Sequence, residues 1–490
     1  MEVNNTSILK GTFFTVGFRC TDRLIGVASM MILARLLSPN DFGIIAIAYL
    51  AVNFARVFLD FGVQVALIQI KNIDQSHYDT AWTIRIIQTS IITCILLASS
   101  HYIAEYFQED RTRHVLYFLA FLPLLNGLQN IGVISFQKNM QFGAEFRFLF
   151  IQRILGFSIT VTSALMLHSY WALVIGSLAT EFIGLILSYI VHPMRARLSL
   201  SKFKDIFFIS QWMLLKNIGI YLQDNLHNFF VGRWSSTSVL GAYSIAGEIS
   251  RMPSTELLAP FNRVLLPAFS KVQDQAAELK RIFLLAQGVQ TLIAVPAAVG
   301  LALVANEAVL LFLGDKWVEA IPYVQILALV GIFTALVGTS HYLMIVLGQL
   351  RLNVLVIYTK VILFCLLMVT IFLKSSAIVT AWVFLCVSVL GIILSFVFVI
   401  SIFPSVKFID FSRNSIRPFL GVVAMTLTLT QLDIYIYFSL LTTLIIKVLL
   451  GASIYATVVI ALWVLSGKPN SSEKYLLNKF FNIYTKYIKN

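Results

Sequence analysis

The chain has 490 residues, of which 59% are hydrophobic and only 12% are charged, and its mean hydropathy is +0.86. Roughly a quarter of the residues of a soluble globular protein are charged, so this composition excludes that class. The apolar runs are continuous and long enough for the roughly 20 residues that a spanning helix needs. Barrel strands alternate over about 10 residues instead. The sequence therefore predicts an all-α polytopic membrane protein.

The net charge and the cysteines exclude further classes. The formal net charge of +13 indicates positively charged cytoplasmic loops in a membrane protein, rather than nucleic-acid binding. The four cysteines stand singly in separate apolar runs without metal-ligand spacing, so we interpret them as small core residues. They are Cys20, Cys94, Cys365 and Cys386.

Fourteen membrane-spanning helices are predicted along the chain. Their approximate ranges are 11–35, 42–67, 80–103, 114–136, 146–167, 170–192, 206–231, 239–266, 282–305, 321–347, 352–373, 376–401, 416–432 and 435–465. With the N-terminus inside, the inside segments hold 20 lysines and arginines and the outside segments hold 5. The positive-inside rule therefore predicts that both termini are cytoplasmic.

An internal repeat predicts how these spans are grouped. A stretch around the first turn recurs 198 residues later, with five identities in 14 positions: Arg35 with Arg233, Ser38 with Ser236, Gly43 with Gly241, Ile47 with Ile245, and Ala48 with Ala246. The recurrence predicts two pseudo-symmetric six-helix lobes. The alternative is that two short turns share Gly and Ser by chance. The predicted domains are a lobe with a cytoplasmic connector at 1–205, a lobe at 206–402, two additional helices at 403–466, and a cytoplasmic amphipathic tail at 467–490.

Charged residues within the predicted spans are the main functional signal. Each cation at mid-bilayer costs on the order of 2.5–3.5 kcal/mol on insertion scales, so a cation within a span indicates a structural or functional role. Eleven cations and six acids lie in the spans when Arg147 and Arg417, at the starts of two spans, are counted with the inside segments, so the excess is 11 − 6 = 5 positive charges. In a medium of low dielectric constant this excess favours an anionic substrate. The planar guanidinium of arginine is particularly suited to phosphate.

Several of these charges lie close together in the sequence. Three clusters have helical spacing: Arg19, Asp22 and Arg23; Arg56 and Asp60; and Glu248 and Arg251. Two interpretations stay open, because each pair either neutralises itself within its helix or takes part in a functional site. Arg85 and Lys216 have no acid nearby in sequence, which favours a role in lining a cavity.

Enzyme signatures are absent from the sequence. We find no P-loop, no dinucleotide-binding glycine motif, no nucleophile elbow, no zinc-protease motif and no soluble domain that could hold an ATPase. The sequence therefore predicts a transporter rather than an enzyme, without a cofactor or metal. Transport would be secondary and driven by an ion gradient of H⁺ or Na⁺, by the membrane potential, or by consumption of the substrate.

Eight segments together resemble a known family. They are Leu33–Ala48, Asp60–Gln69, Ser135–Phe142, Tyr170–Val174, Asp224–Arg233, Leu240–Ala246, Arg263–Ser270 and Gly314–Trp317. In order and in register they are similar to the polysaccharide-transporter branch of the multidrug/oligosaccharidyl-lipid/polysaccharide (MOP) superfamily. Within that branch they resemble the Wzx-type flippases of colanic and teichuronic acid. The match runs from about Gly11 to Asn353, and the last 140 residues match in hydropathy only.

The resemblance implies a fold and a function. The fold would be MATE-like, with two six-helix lobes plus two C-terminal helices. The substrate would be an undecaprenyl-pyrophosphate-linked oligosaccharide, moved from the cytoplasmic to the periplasmic leaflet of the bacterial inner membrane for surface polysaccharide biosynthesis. The implied partners are this glycan, membrane lipids and other polysaccharide assembly proteins, and no nucleic acid.

The resemblance also implies which charges contact the substrate, since related lipid flippases use arginines in a central cavity. Carried over to this chain, the pyrophosphate-binding residues are Arg19, Arg23, Arg56, Arg85, Lys216 and Arg251. Their predicted charge partners, or sites of ion coupling, are Asp22, Asp60, Asp224 and Glu248.

Two alternative functions have distinct requirements. A drug or cation antiporter of the same superfamily needs a dominant acid in its cavity, and the candidates Asp22 and Asp224 both lie near cations in the sequence. A membrane polysaccharide polymerase or ligase needs a sizeable external loop for its chemistry. The longest predicted outside loops, near Glu105–Arg113 and Asn306–Ala320, are too short for that.

Overall fold

The computed structural model describes residues 5–59, 63, 67, 70, 73–139, 141–371, 376–432 and 438–479. The side chains of residues 5–16, 18–20, 58–59, 205–213 and 260 lie outside this description. The chain divides into two compact units, Met1–Gly241 (unit 1) and Ala242–Asn490 (unit 2). The domain boundaries expected at 205, 402 and 466 stay predictions.

Unit 1 contains nine helices and the start of a tenth among its described residues. They are α1 (Asn5–Leu36), α2 (Pro39–Leu59), α3 (Gln75–Phe107), α4 (Arg111–Leu119), α5 (Phe121–Leu128), α6 (Ile134–Lys138), α7 (Phe142–Leu167), α8 (Trp171–Val191), α9 (Phe203–Trp234) and the first residues of α10 (Thr237–Glu256). A short 3₁₀ helix, Ile131–Val133, lies between α5 and α6.

The described part of unit 2 contains the rest of α10 and eight further helices. They are α11 (Ala259–Lys271), α12 (Ala276–Leu303), α13 (Ala305–Phe312), α14 (Ala320–Val346), α15 (Leu350–Ile371), α16 (Ala377–Ile402), α17 (Phe408–Leu432) and α18 (Leu440–Leu465). A 3₁₀ helix at Asp315–Trp317 follows α13, and residues 472–479 are helical.

Ten helices of the described chain are long and apolar enough to cross a membrane, so the chain is a multi-pass helical membrane protein. They are α2, α3, α7, α8, α12 and α14 to α18. Helices α1 and α9 have 32 residues each.

Two of the predicted spans are broken in the structure. The span expected at 114–136 consists of Arg111–Leu128 and Ile131–Lys138, with a bend of 64° between them. Asn130 stabilises the break, because its Oδ1 accepts a hydrogen bond from the Gly132 amide at 2.9 Å and caps the new helical turn. The span expected at 239–266 consists of α10 and α11. Averaged hydropathy does not detect such short interruptions.

Apolar packing joins the helices within each unit. In unit 1, buried side chains of α2, α3, α4 and α8 form one cluster that includes Ile44, Val52, Leu96, Leu119 and Val174. In unit 2, α11, α12, α14, α16 and α17 contribute Phe269, Phe283, Leu343, Val399 and Phe411 to another. Close packing of this kind drives helix association in lipid. It holds α2, α3 and α8 at fixed positions for the polar residues described below.

The two turns related by the 198-residue recurrence pack against each other at the end of unit 1. A Cβ atom on Gly43 would lie 1.8 Å from the Thr237 carbonyl oxygen, and a Cβ on Gly241 would lie 1.8 Å from the Pro39 carbonyl oxygen. Only glycine fits at either position, because each helix start touches the backbone of the other.

Candidate functional site

A polar cavity of about 260 Å³ lies among the membrane-spanning helices of unit 1. Residues of α2, α3, α5 and α6 surround it. They include Arg56, Arg85, Gln88, Thr89, Pro123, Asn126, Ile131 and Ile134. Two cations and no acid are among the described residues that line the cavity. Both cations belong to the set that the sequence analysis predicts for an anionic substrate.

Arg85 is fixed at the cavity wall by α5. Its Nη2 donates to the Asn126 backbone carbonyl at 2.6 Å and to the Asn126 side-chain oxygen at 2.7 Å. Helix α5 approaches α3 closely enough for these bonds because residue 127 is glycine. A Cβ at Gly127 would lie 2.1 Å from the Thr89 hydroxyl oxygen. The guanidinium of Arg85 is therefore held in one orientation beside the cavity.

Arg56 borders the same cavity from α2. Its Nη2 atom is buried and has no hydrogen-bond partner among the described residues. It interacts electrostatically with Glu181 and Tyr49. A buried guanidinium donor without an acceptor is costly. This atom is therefore a place where an anionic ligand would add a hydrogen bond.

Among the described residues, Glu181 on α8 is the acid of this region. Its Oε2 accepts hydrogen bonds from Asn126 Nδ2 and from Gln129 Nε2, both at 3.2 Å. Asn126 thus bridges Glu181 and Arg85, while Glu181 also acts on Arg56 electrostatically. Among the described residues of this cluster, Arg56 and Arg85 are the cations and Glu181 is the acid.

The sequence analysis did not place Glu181, Asn126 or Gln129 in a site, although it counted Glu181 among the acids within spans. A signal was present in the polar run Asn126–Asn130, which interrupts an otherwise apolar segment. Polar side chains there are expensive in lipid and therefore indicate contacts with other polar groups.

The predicted residues of α1 contact a different helix. Asp22 forms an ion pair with Arg153 of α7, with Oδ1 and Nε 2.9 Å apart. Arg23 is half-buried on the same helix. The side chain of Arg19 and the whole of Asp60 lie outside the described residues, so their predicted roles stay predictions.

The remaining predicted residues lie on α9 and α10. Lys216 and Asp224 are half-buried, and Asp224 Oδ1 accepts a hydrogen bond from Gln223 Nε2 at 3.2 Å. In unit 2, Arg251 Nη2 and Glu248 Oε1 form an exposed ion pair at 2.9 Å. The spacing of three residues predicts this contact correctly, and it matches the interpretation of self-neutralisation within one helix.

Unit 2 contains two buried ion pairs that the sequence analysis did not predict. Lys447 Nζ lies 2.7 Å from Glu307 Oε1, and these side chains are only 4% and 8% exposed. Arg417 Nε lies 3.0 Å from Glu473 Oε1, with exposures of 8% and 3%. Lys447 also borders a cavity of about 420 Å³, whose other lining residues are apolar except for Tyr455.

One ionisable cluster lies outside the spans, where α3 ends. Glu109 accepts hydrogen bonds from Arg111 Nε at 2.7 Å and from the Thr237 hydroxyl at 3.0 Å. The hydrogen bond from Arg111 lowers the pKa of Glu109 below its ordinary value, while partial burial acts in the opposite direction. The cluster ties the start of α10 to the α3–α4 corner.

Over the residues the structure describes, no three His, Cys, Asp or Glu side chains lie close enough to hold a metal ion.

Comparison with protein families and with curated proteins identifies relatives. A family model described as "Polysaccharide biosynthesis protein" matches residues 32–322, more than half of the chain. An uncharacterized membrane protein from the cps region of Klebsiella pneumoniae is 25% identical over 454 residues, which is 91% of this chain and 93% of that protein. The teichuronic acid biosynthesis protein TuaB of Bacillus subtilis is 24% identical over 76% of this chain and 78% of its own length. The lipopolysaccharide biosynthesis protein WzxC of Escherichia coli is 27% identical over 63% of each chain.

Solved structures have the same fold. The lipid II flippase MurJ, in an inward closed conformation, superposes with a TM-score of 0.73 over 92% of this chain and 99% of its own, at 11% identity. An inward-facing MATE transporter of the MOP superfamily superposes with a TM-score of 0.59 over 78% of this chain and 95% of its own, at 12% identity. At these identities the likeness concerns the fold alone.

Proposed function

Because the chain belongs to the polysaccharide biosynthesis protein family, we propose that it is a secondary transporter for surface polysaccharide assembly. Its substrate is an undecaprenyl-pyrophosphate-linked oligosaccharide, which it moves from the cytoplasmic to the periplasmic leaflet of the bacterial inner membrane. Relatives named for lipopolysaccharide and teichuronic acid biosynthesis support this substrate class.

The observation that carries the proposal is the cavity of unit 1. Arg56 and Arg85 line it within the membrane-spanning region, and Arg56 keeps a buried donor without an acceptor among the described residues. Arginine binds phosphate through parallel hydrogen bonds. A pyrophosphate placed at this wall would accept a hydrogen bond from the buried Arg56 Nη2 and would lie beside the guanidinium of Arg85.

The other predicted cations extend the same pathway in this proposal. Arg19, Arg23, Lys216 and Arg251 would take the pyrophosphate before or after Arg56 and Arg85, as the protein changes conformation.

Fourteen spans in two six-helix lobes, with both termini cytoplasmic, complete the proposed architecture. The packing of the two related turns at Gly43 and Gly241 supports the repeat.

The proposed mechanism is alternating access. The cations bind the pyrophosphate from the cytoplasmic side while the polyprenyl chain stays in the bilayer. A conformational change then exposes the site to the periplasmic side and releases the head group. The protein acts without a cofactor, and an H⁺ or Na⁺ gradient, the membrane potential or polymerisation of the product drives the cycle. Asp22, Asp60, Asp224 and Glu248 are the proposed ion-coupling acids or charge partners.

A deletion strain tests this function directly. Complete lipid-linked repeat units should accumulate in the cytoplasmic leaflet, and the corresponding surface polysaccharide should be lost. The composition of the accumulated units would identify the sugar. Normal surface polysaccharide together with increased drug susceptibility would contradict the proposal and favour the antiporter. Incomplete or unpolymerised units in the periplasmic leaflet would instead favour a polymerase or ligase.

A further inference from the structure

A second polar cavity, of about 510 Å³, lies in unit 2 and is separate from the site described above. Its walls come from the start of α12, the start of α17 and the segment that follows α18. The lining residues are Arg281, Leu284, Leu285, Asn414, Asn470, Ser471, Ser472, Lys474, Tyr475 and Asn478. Eight of these ten residues carry a side chain that can donate a hydrogen bond.

The charge of this lining has one sign. Arg281 and Lys474 are its cations, and no acid is among the lining residues. Two acids contact lining residues from outside the lining. Glu278 accepts two hydrogen bonds from Arg281 at 2.6 and 2.8 Å, and Glu473, which is paired with Arg417, accepts one from Ser472 at 3.3 Å. Lys474 Nζ donates to the neutral side chain of Asn470 at 2.6 Å. The cavity therefore offers positive charge and neutral donors, a combination that suits a phosphate group.

The wall made by the segment after α18 is anchored to the rest of unit 2. Ser472 and Glu473 are buried, and Glu473 forms the buried ion pair with Arg417 of α17. Trp463 Nε1 donates to the Pro469 carbonyl at 3.1 Å, which fixes the turn that enters the segment. On the opposite wall, Asn414 Nδ2 donates to the Leu284 carbonyl at 3.2 Å and ties α17 to α12.

The position of the cavity indicates the kind of molecule that would enter it. It lies at the polar ends of α12 and α17, which the distribution of lysine and arginine predicts to face the cytoplasm. Leu284 and Leu285 mark the change to apolar sequence on α12. A ligand here would place an anionic group among the cations and amides while an apolar part follows the helix into the bilayer.

We propose that this cavity binds a phosphate ester with net negative charge, such as the head group of an anionic phospholipid of the inner leaflet. An anionic phosphate ester is also present in soluble glycerol phosphates, which are monoesters and lack the acylated glycerol of a phospholipid. The site does not depend on which molecule the protein transports. The binding test can therefore fail while the proposed function holds, and the proposed function can fail while the binding test succeeds.

The test measures binding of phosphatidylglycerol to the purified full-length protein in phosphatidylcholine nanodiscs. The Arg281→Gln/Lys474→Gln variant should bind phosphatidylglycerol roughly thirtyfold more weakly, because each cation near an anionic lipid contributes about 1 kcal/mol. The matched control is Arg351→Gln/Lys271→Gln, which removes two exposed cations that do not line the cavity. The control should bind like the wild type.

A second variant keeps the test valid if the double variant folds poorly. Asn478→Asp preserves the size of a lining side chain and adds one negative charge, so it should also weaken binding. Competition with sn-glycerol 1-phosphate separates the sources, since displacement assigns the site to phosphate esters in general and retention of the lipid assigns it to phospholipid. Equal binding of phosphatidylglycerol by the wild type and both cavity variants would overturn the proposal.

Discussion

The two units bury charge in different ways. In unit 1, Arg56 and Arg85 line a cavity, and the described acid beside them is Glu181, which acts on Arg56 electrostatically and is linked to Arg85 through Asn126. In unit 2, Lys447 has Glu307 and Arg417 has Glu473, each within 3.0 Å and each pair almost completely buried. In the first arrangement the two cations line a polar cavity, and in the second each cation contacts its acid directly.

The difference separates structural charge from functional charge. A charge within a membrane protein is costly unless it is paired or faces a polar cavity. In a closed pair such as Lys447–Glu307 the two charges cancel each other, although Glu307 Oε2 has no hydrogen-bond partner among the described residues. Beside the cavity of unit 1, the buried Arg56 Nη2 donor has no acceptor among the described residues, and under the proposed function an anionic substrate would supply one.

The largest expected effect is on the closed pair. Lys447→Met leaves Glu307 buried without its cation and should lower the free energy of unfolding by about 3–5 kcal/mol. The double variant Lys447→Met/Glu307→Leu should recover most of this loss, because it removes both charges from the interior. Thermal unfolding in detergent measures the stability, and surface polysaccharide measures export.

Export of the surface polysaccharide by this double variant distinguishes a structural charge pair from a functional one. A stable double variant should export normally if this pair is structural. A double variant that folds like the wild type and fails to export would show that Lys447 and Glu307 take part in transport, and the contrast between the units would be lost.

A smaller effect is expected from the acid of unit 1. Glu181→Gln removes the internal competitor for Arg56 and Arg85, so it should strengthen binding of undecaprenyl pyrophosphate by roughly tenfold, as expected for the loss of one nearby charge. It should also slow release, and therefore export. Titration of the purified protein with undecaprenyl pyrophosphate measures the affinity.

The control for this variant is Glu145→Gln, which removes an acid from α7 that is not part of the cavity lining. It should leave the affinity unchanged. Unchanged or weaker binding in Glu181→Gln, with a normal fold, would mean that Glu181 does not compete with the substrate.

The smallest effect is expected at the partly exposed pair outside the spans. Arg111 lowers the pKa of Glu109, so the folded state keeps this carboxylate ionised at a lower pH than the unfolded state does. Its contribution is present above the ordinary pKa of about 4.5 and is lost as the pH falls through the lowered value. The wild type should therefore lose about 1 kcal/mol more than Glu109→Gln on acidification. Parallel stability curves of the two proteins against pH would contradict this.

The sequence predicts contacts within one helix better than contacts between helices. Spacing predicts the Glu248–Arg251 pair, because residues three apart share a helix face. It does not reveal that Asp22 pairs with Arg153 or Lys447 with Glu307, since those partners are 131 and 140 positions away. Packing of separate helices brings them together, and no local pattern encodes it.

In the candidate site, too, local sequence patterns predict less about contacts between helices than about single residues. Arg85 is predicted as a cavity residue because no acid stands near it in the sequence, and the structure places it beside the cavity. For Arg56 the sequence suggests Asp60, which lies outside the described residues, whereas the described acid that acts on Arg56 is Glu181 of α8. The break at Asn130 brings Asn126 and Gln129 to Glu181, and a hydropathy average smooths over that break.

The most direct test of the central claim is a translocation assay with purified protein in vesicles that contain a labelled undecaprenyl-pyrophosphate-linked oligosaccharide. The wild type should move the glycan between leaflets. Arg56→Gln/Arg85→Gln should do so at least roughly a hundredfold more slowly, because two charge-assisted hydrogen bonds are lost, while Arg113→Gln/Arg147→Gln, two exposed cations away from the cavity, should match the wild type. Wild-type translocation by a folded Arg56→Gln/Arg85→Gln variant would contradict the claim that this cavity binds the pyrophosphate.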